Sequence, residues 1–317
     1  MPKKKVVVIG GGNGSAVSIV SLKQNLDLFD ISAVISMSDS GGSSGKLRKE
    51  FNTLPPGDIM RAVLAMSKYD FPMLKQIFYR NRFSCVGKLD GHNLGNLFLV
   101  LGEKFGGDFV LSVRALEQSL EAVGHVYPVT LDRTDLCAEL DNGDVVKTEA
   151  AIDEPKYDRN LKIKTVWLEP AGTVYPEIKK VLLEADYILF SPGSLYTSVI
   201  ATILPAGVKE AIAQSKAKLI YAMGSGYVKN SETGPTTVSG VIDALEQYLP
   251  RRLDLILYNN AKISKIRQDT YEKRGWAFLA NDEENQKGMN IVKVDYERSE
   301  GGLCAIKLGK ILKDILV

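Results

Sequence analysis

Residues 5–14 read Lys-Val-Val-Val-Ile-Gly-Gly-Gly-Asn-Gly, and they constrain the fold more than any other stretch. A β-branched run of the kind that forms a buried strand ends in four glycines within five positions. An Ala/Val/Ile/Leu-rich segment with helical character follows at once, from Gly14 to Leu26. Strand, glycine turn and helix in that order leave bare backbone N–H groups facing outward at a helix N-terminus, where anions are favoured. The pattern predicts a nucleotide or phosphorylated ligand at the carboxyl edge of a parallel sheet, held by Gly10, Gly11, Gly12, Asn13 and Gly14. Gly10 and Gly12 are followed by Ser15 where a dinucleotide fingerprint has its third glycine, so NAD is not expected. No Lys-Ser or Lys-Thr follows, which removes the P-loop, and the plain alternative is a structural turn.

The rest of the chain extends this βαβ start. A second strand is expected over 31–37, a Gly/Ser loop over 38–45 and a mainly helical region over 58–121. From His125 the pattern changes to short strands over 126–130, 134–140, 145–151 and 162–168, with Asp141-Asn-Gly143 as a tight-hairpin signal. Residues 125–168 are thus read as a small, mostly antiparallel β insertion. Strand and helix alternate again from 175, with strands at 187–190, 218–222 and 253–258 and a last helix over 307–317. Alternation on both sides of an insertion predicts an α/β fold with a Rossmann-like doubly wound, mainly parallel sheet.

The net charge of +2, from 40 basic and 38 acidic residues, makes no demand for nucleic acid or membrane as a partner. Cys85, Cys137 and Cys304 lie far apart without metal-like spacing and point to a reducing compartment. The apolar run Val6–Ile9 is too short for an export signal, and no run approaches the ~20 apolar residues of a membrane span. A cytoplasmic protein is expected.

Four further loops follow a strand or open a helix, the positions that converge on one crevice in a parallel sheet. In the loop 38–45, Asp39 sits where a Rossmann-type fold has its ribose-binding acid. Ser40, Gly41, Gly42, Ser43 and Ser44 offer hydroxyl and backbone donors, and Arg48 is read as neutralising a phosphate. The plain alternative is a flexible surface loop. In Leu54-Pro-Pro-Gly-Asp58, Asp58 caps the next helix, or else holds a divalent cation beside phosphates or acts as a general base. His92, Asn93 and Asn96 open the apolar helix 97–101, where a phosphate gains about 0.3–1 kcal/mol from the helix dipole. A satisfied structural histidine is the plain reading of His92. The last loop offers Ser191, Gly193, Ser194, Tyr196 and Thr197 as another phosphate cradle. It lacks Gly-x-Ser-x-Gly spacing, so no serine nucleophile is expected.

These five motifs in this order resemble the CofD-like family of 2-phospho-L-lactate transferases and YvcK-type gluconeogenesis factors, with the YvcK branch nearer. The resemblance covers most of the chain and implies one three-layer α/β/α domain over 1–317, frequent homodimers and a ligand crevice on the loops above. The YvcK branch implies binding of UDP-sugars, notably UDP-N-acetylglucosamine, and a regulatory link between carbon metabolism and cell shape. The transferase branch implies Mg²⁺, with Asp39 and Asp58 as its candidate ligands and Asp39, Asp58 and His92 as candidate catalytic groups. The chain departs from the family pattern at Asn13 (usually Thr), Met60 (usually Arg, here followed by Arg61) and Ala201-Thr202 (usually Pro-Asn). A later Gly-Glu-Thr region survives in part as Ser231-Glu-Thr233.

Overall fold

The computed structural model describes residues 2–317. The first strand, β1 (Lys4–Gly10), is joined by β2 (Phe29–Ile35) and β3 (His125–Pro128) in one sheet. The chain then leaves the sheet for β4 (Asp135–Leu140), β5 (Val145–Lys147) and β6 (Ile163–Glu169), and returns with β7 (Tyr187–Phe190) and β8 (Lys218–Met223). β9 (Gly226–Val228) pairs antiparallel with β11 (Trp276–Phe278), while β10 (Leu255–Asn259) and β12 (Ile291–Val294) complete the main sheet. The seven-stranded order is β12-β10-β8-β7-β1-β2-β3, and every neighbouring pair is parallel.

Central strands of such a sheet are covered on both faces, which explains the unbroken apolar run. Val6, Val7, Val8 and Ile9 are each at most 2% exposed. The chain builds outward from β1 to β2 and β3, then starts again at β7 on the other side of β1. The order therefore reverses between β1 and β7. Ligands of open α/β sheets bind at this switch point.

Helix α1 (Gly12–Lys23) buries Ala16, Ile19 and Leu22 and packs against α3 (Gly57–Met66) and the C-terminal helix Ala305–Leu316. Between them in sequence lies α2 (Gly42–Phe51); after α3 come the short α4 (Phe71–Lys75) and then α5 (Leu94–Gly106). No helix among the described residues is long and apolar enough to cross a membrane.

Two expected boundaries move. His125–Pro128 pairs parallel with β2, in register from Ser32↔His125, so this strand is the edge of the main sheet. The antiparallel β5-β4-β6 sheet starts at Asp135, later than the 125–168 reading had it. Periodicity alone does not distinguish a short edge strand from a strand of an insertion. The strand expected over 145–151 stops at Lys147, because Glu149–Asp153 forms a helical turn whose N-cap Thr148 accepts from the Ala151 amide at 3.4 Å.

Candidate functional site

The site begins where two backbones touch. A Cβ built on Gly14 would lie 1.4 Å from the Pro192 carbonyl oxygen, so only glycine lets α1 meet the loop after β7. Gly12 has φ +59°, the left-handed region that favours glycine. α1 starts from Gly11 and α2 from Gly41, neither with a side-chain cap, so the first-turn amides of both helices are left to a ligand or water.

Both helix starts open onto one crevice of about 1060 Å³. From the first turn Gly11, Gly12, Asn13 and Gly14 line it. The second loop contributes Asp39, Gly41, Gly42, Ser43 and Ser44, and Asp58 and Asn96 come from the third and fourth. Gly193, Ser194 and Thr197 complete the set.

The remaining sequence candidates lie behind this wall. Ser191 is fully buried, and its Oγ would stand 2.1 Å from a Cβ on Gly10, so both residues pack β1 against β7. Ser40 accepts from the Ala150 amide at 2.9 Å, and Tyr196 is buried with its hydroxyl on Ile163 O at 3.4 Å. Arg48 does not line the crevice. Its guanidinium donates to Thr134 O at 2.9 Å and Asp135 Oδ1 at 3.0 Å, tying the β4 sheet to the loop after β2. The phosphate-neutralising role read for Arg48 is corrected accordingly.

His92 is 2% exposed, and its Nδ1 lies 2.9 Å from Ser43 Oγ. Asn96 Nδ2 donates to that same oxygen at 3.0 Å, so the hydroxyl hydrogen points to Nδ1. Burial holds the His92 imidazole below its ordinary value, consistent with a neutral ring accepting this bond. Asn93 caps α5 by accepting from the Asn96 amide at 2.8 Å. His92 and Asn93 therefore fix Ser43 and the helix start, and neither reaches the crevice. Asp58 does not cap α3, whose N-cap is Pro56; Arg61 Nη1 donates to Asp58 Oδ1 at 3.2 Å instead.

Carboxyl groups crowd one wall. Burial, then the charge of Asp58, pushes Asp39 up to about 6. Glu149 accepts from the Ser40 amide at 3.1 Å, and burial followed by the Asp39 charge pushes it up to about 8. Glu232 accepts from the Tyr196 and Thr197 amides at 3.2 and 3.0 Å and from Thr197 Oγ1 at 3.1 Å. Burial pushes Glu232 up to about 7. The amides of the last loop thus already hold an internal carboxylate, as the Gly41 amide donates to Asp39 Oδ1 at 3.0 Å, which leaves the first-turn amides of α1 and α2 open to an anion.

A carboxyl raised in the fold keeps its proton longer than in the unfolded chain, so its contribution is full at low pH and is lost as pH rises through the folded value. For Glu149 that window runs from about 4.5 to about 8. Glu149→Gln keeps an acceptor for Ser40 and removes the titration. It is expected to be more stable than the parent at pH 8 and to lose less stability between pH 5 and pH 8 in urea unfolding. Parallel pH profiles would contradict the burial of this group.

The sequence reading missed the basic lining of the crevice, which includes Arg61, Lys75, Arg80, Arg82 and Arg159. It also missed the far wall, where Tyr271 stacks on Phe278 at 4.0 Å and Arg274 lies 4.9 Å over Trp276. Nothing local separates these basic residues from solvated surface charges, apart from Arg61 standing next to Met60, where the family pattern has Arg.

Residues 6–297 match the family model described as 2-phospho-L-lactate transferase CofD. The putative gluconeogenesis factor of Thermotoga maritima is 41% identical over 281 residues, covering 89% of this chain and 87% of that protein. The gluconeogenesis factor of Bacillus subtilis is 34% identical over 291 residues, covering 91% and 89%. A crystal structure of a UPF0052 family member from Bacillus halodurans superposes with a TM-score of 0.89 at 33% identity over 99% of both chains.

Proposed function

This chain belongs to the CofD family, alongside its gluconeogenesis-factor relatives, and on that premise we propose that the crevice binds a nucleotide-sugar, with UDP-N-acetylglucosamine the first choice. The protein would then act in the cytoplasm as a homodimeric regulatory binder linking carbon metabolism to cell shape. One observation carries the ligand class: two uncapped helix starts, at Gly11 and Gly41, face a basic-lined crevice of about 1060 Å³. That volume lies just above the usual small-molecule range of about 300 to 1,000 Å³, which suits a large ligand of nucleotide-sugar size. In this reading the α1 amides meet the diphosphate and Asp39 accepts from a ribose or sugar hydroxyl. Arg61 supplies the charge first ascribed to Arg48.

A Mg²⁺-dependent transferase is the second reading, favoured by the description of the matching family and by the Asp39–Asp58 pair. Burial first and then the charge of Asp58 raise Asp39, and a divalent cation would relieve the second of these. Among the described residues no group of three His, Cys, Asp or Glu side chains is arranged to hold a metal. Phosphate oxygens and water would supply the other Mg²⁺ ligands, as this ion commonly requires.

Thermal denaturation and calorimetry with UDP- and GDP-linked compounds, NAD and NADP test the proposal. A ligand at 100 times its Kd is expected to stabilise the chain by about 2.7 kcal/mol. UDP-sugars are expected to do so without turnover. Silence from every nucleotide at millimolar concentration would contradict nucleotide binding, and release of a free nucleotide with an acceptor would favour the transferase.

A further inference from the structure

We propose that Arg61, Lys75 and Arg82, gathered at the ring of Tyr79, form with the adjoining Arg80 a subsite for a dianionic phosphate or diphosphate group. The inference rests on the crevice being an anion site and not on a nucleotide being its occupant. All five residues line the crevice. The guanidinium carbons of Arg61 and Arg82 lie 4.5 and 5.7 Å from the Tyr79 ring centroid, and Lys75 Nζ lies 5.8 Å from it. One aromatic face attracts a cation, but three cations on one ring repel each other.

Their remaining partners do not balance this charge. Arg61 donates from Nη1 to Asp58 at 3.2 Å and from Nη2 to the Tyr79 hydroxyl at 2.6 Å, and its buried Nε has no partner. Lys75 donates to the neutral Asn13 Oδ1 at 3.0 Å, and Arg82 to the Gly91 carbonyl at 2.7 Å. Arg80 has no side-chain hydrogen bond or ion pair among the described residues. Among the described residues Asp58 is the one carboxylate in ion-pair contact with any of the four. Burial first, then the charges of Arg61, Arg80 and Arg298, holds the Lys75 ammonium below its ordinary value.

The cluster also faces the open helix start. Lys75 is bonded to Asn13 on the first glycine turn, and Arg61 Nη1 lies 3.4 Å from where a Cβ on Gly12 would be. An anion between them meets α1 amides on one side and guanidinium donors on the other. Planar, forked Arg donors match phosphate oxygens, and a dianion offsets more of the excess positive charge than a carboxylate does.

Calorimetric titration of the full chain with inorganic pyrophosphate tests the subsite. Lys75→Met and Arg82→Met are each expected to weaken pyrophosphate binding about tenfold, with a shallower salt dependence. Arg133→Met, outside this crevice, is expected to leave it unchanged. Lys75 is half-buried and Arg82 exposed at the rim, and an unchanged thermal midpoint verifies that each variant folds. No pyrophosphate binding by the parent, or parental affinity in the double variant, would overturn the proposal. Titrating a UDP-sugar into pyrophosphate-saturated protein separates two sources of the anion. Competition makes it the nucleotide's own diphosphate, simultaneous binding makes it a second phosphorylated ligand, and both keep the subsite. Pyrophosphate binding that needs Lys75, with no UDP-sugar binding, would remove the nucleotide reading and leave the subsite standing.

Discussion

Gly14→Ala is expected to destabilise the protein by about 3 kcal/mol, despite replacing the poorest ordinary helix former with the best. Alanine inside a helix gains up to about 1 kcal/mol over glycine. Against that, the new methyl would stand 1.4 Å from the Pro192 carbonyl oxygen, a backbone atom that moves only if the loop after β7 moves with it. The clash wins, and it opens the junction between β1 and β7. Gly106→Ala supplies the contrast, since nothing lies within 4 Å of its Cβ position at the end of α5. That variant is expected to be neutral or slightly more stable. Urea unfolding of both separates the effects; a Gly14→Ala protein as stable as the parent would contradict the close approach.

Arg61→Met is expected to cost about 3 kcal/mol, the lower end for breaking a buried ion pair. The Arg61 and Asp58 side chains are only 11% and 16% exposed, so solvent screens little of the loss. Removing Arg61 leaves the Asp58 carboxyl group without its ion-pair partner and takes one of the three cations from the Tyr79 ring. The double variant Asp58→Asn with Arg61→Met strands no charge and is expected to recover much of the loss. Strictly additive costs in urea unfolding would show that the two side chains act independently.

The sequence was most informative where the chain's own chemistry leaves few choices. Val6–Ile9 suits a strand covered on both faces, and the glycines after it suit a turn that no side chain fits, so β1, α1 and the switch-point crevice were legible. Asp39 and Ser43 reached the crevice because the segment that carries them leaves β2 at the sheet's carboxyl edge, and Asp58 because its helix start packs beside that segment. Arg48 and Arg61 show where such reading stops. Each lies within the first two turns of a helix after a glycine loop, yet Arg48 turns to Thr134 and Asp135 while Arg61 turns to Asp58 and Tyr79. Those partners come from elements fixed by tertiary packing, which local sequence does not encode. Glu232 is a similar case, since it accepts from the Tyr196 and Thr197 amides 36 and 35 residues away, a pairing that the composition of the 191–198 loop does not announce. The β9–β11 pair escaped notice because three-residue strands carry almost no periodicity.

A crystal structure of the chain grown with UDP-N-acetylglucosamine tests the central claim most directly. The expected result is diphosphate density against the amides at the start of α1, within hydrogen-bonding reach of Arg61 and Lys75. An empty crevice at millimolar ligand, or a nucleotide-sugar bound elsewhere on the molecule, would contradict it.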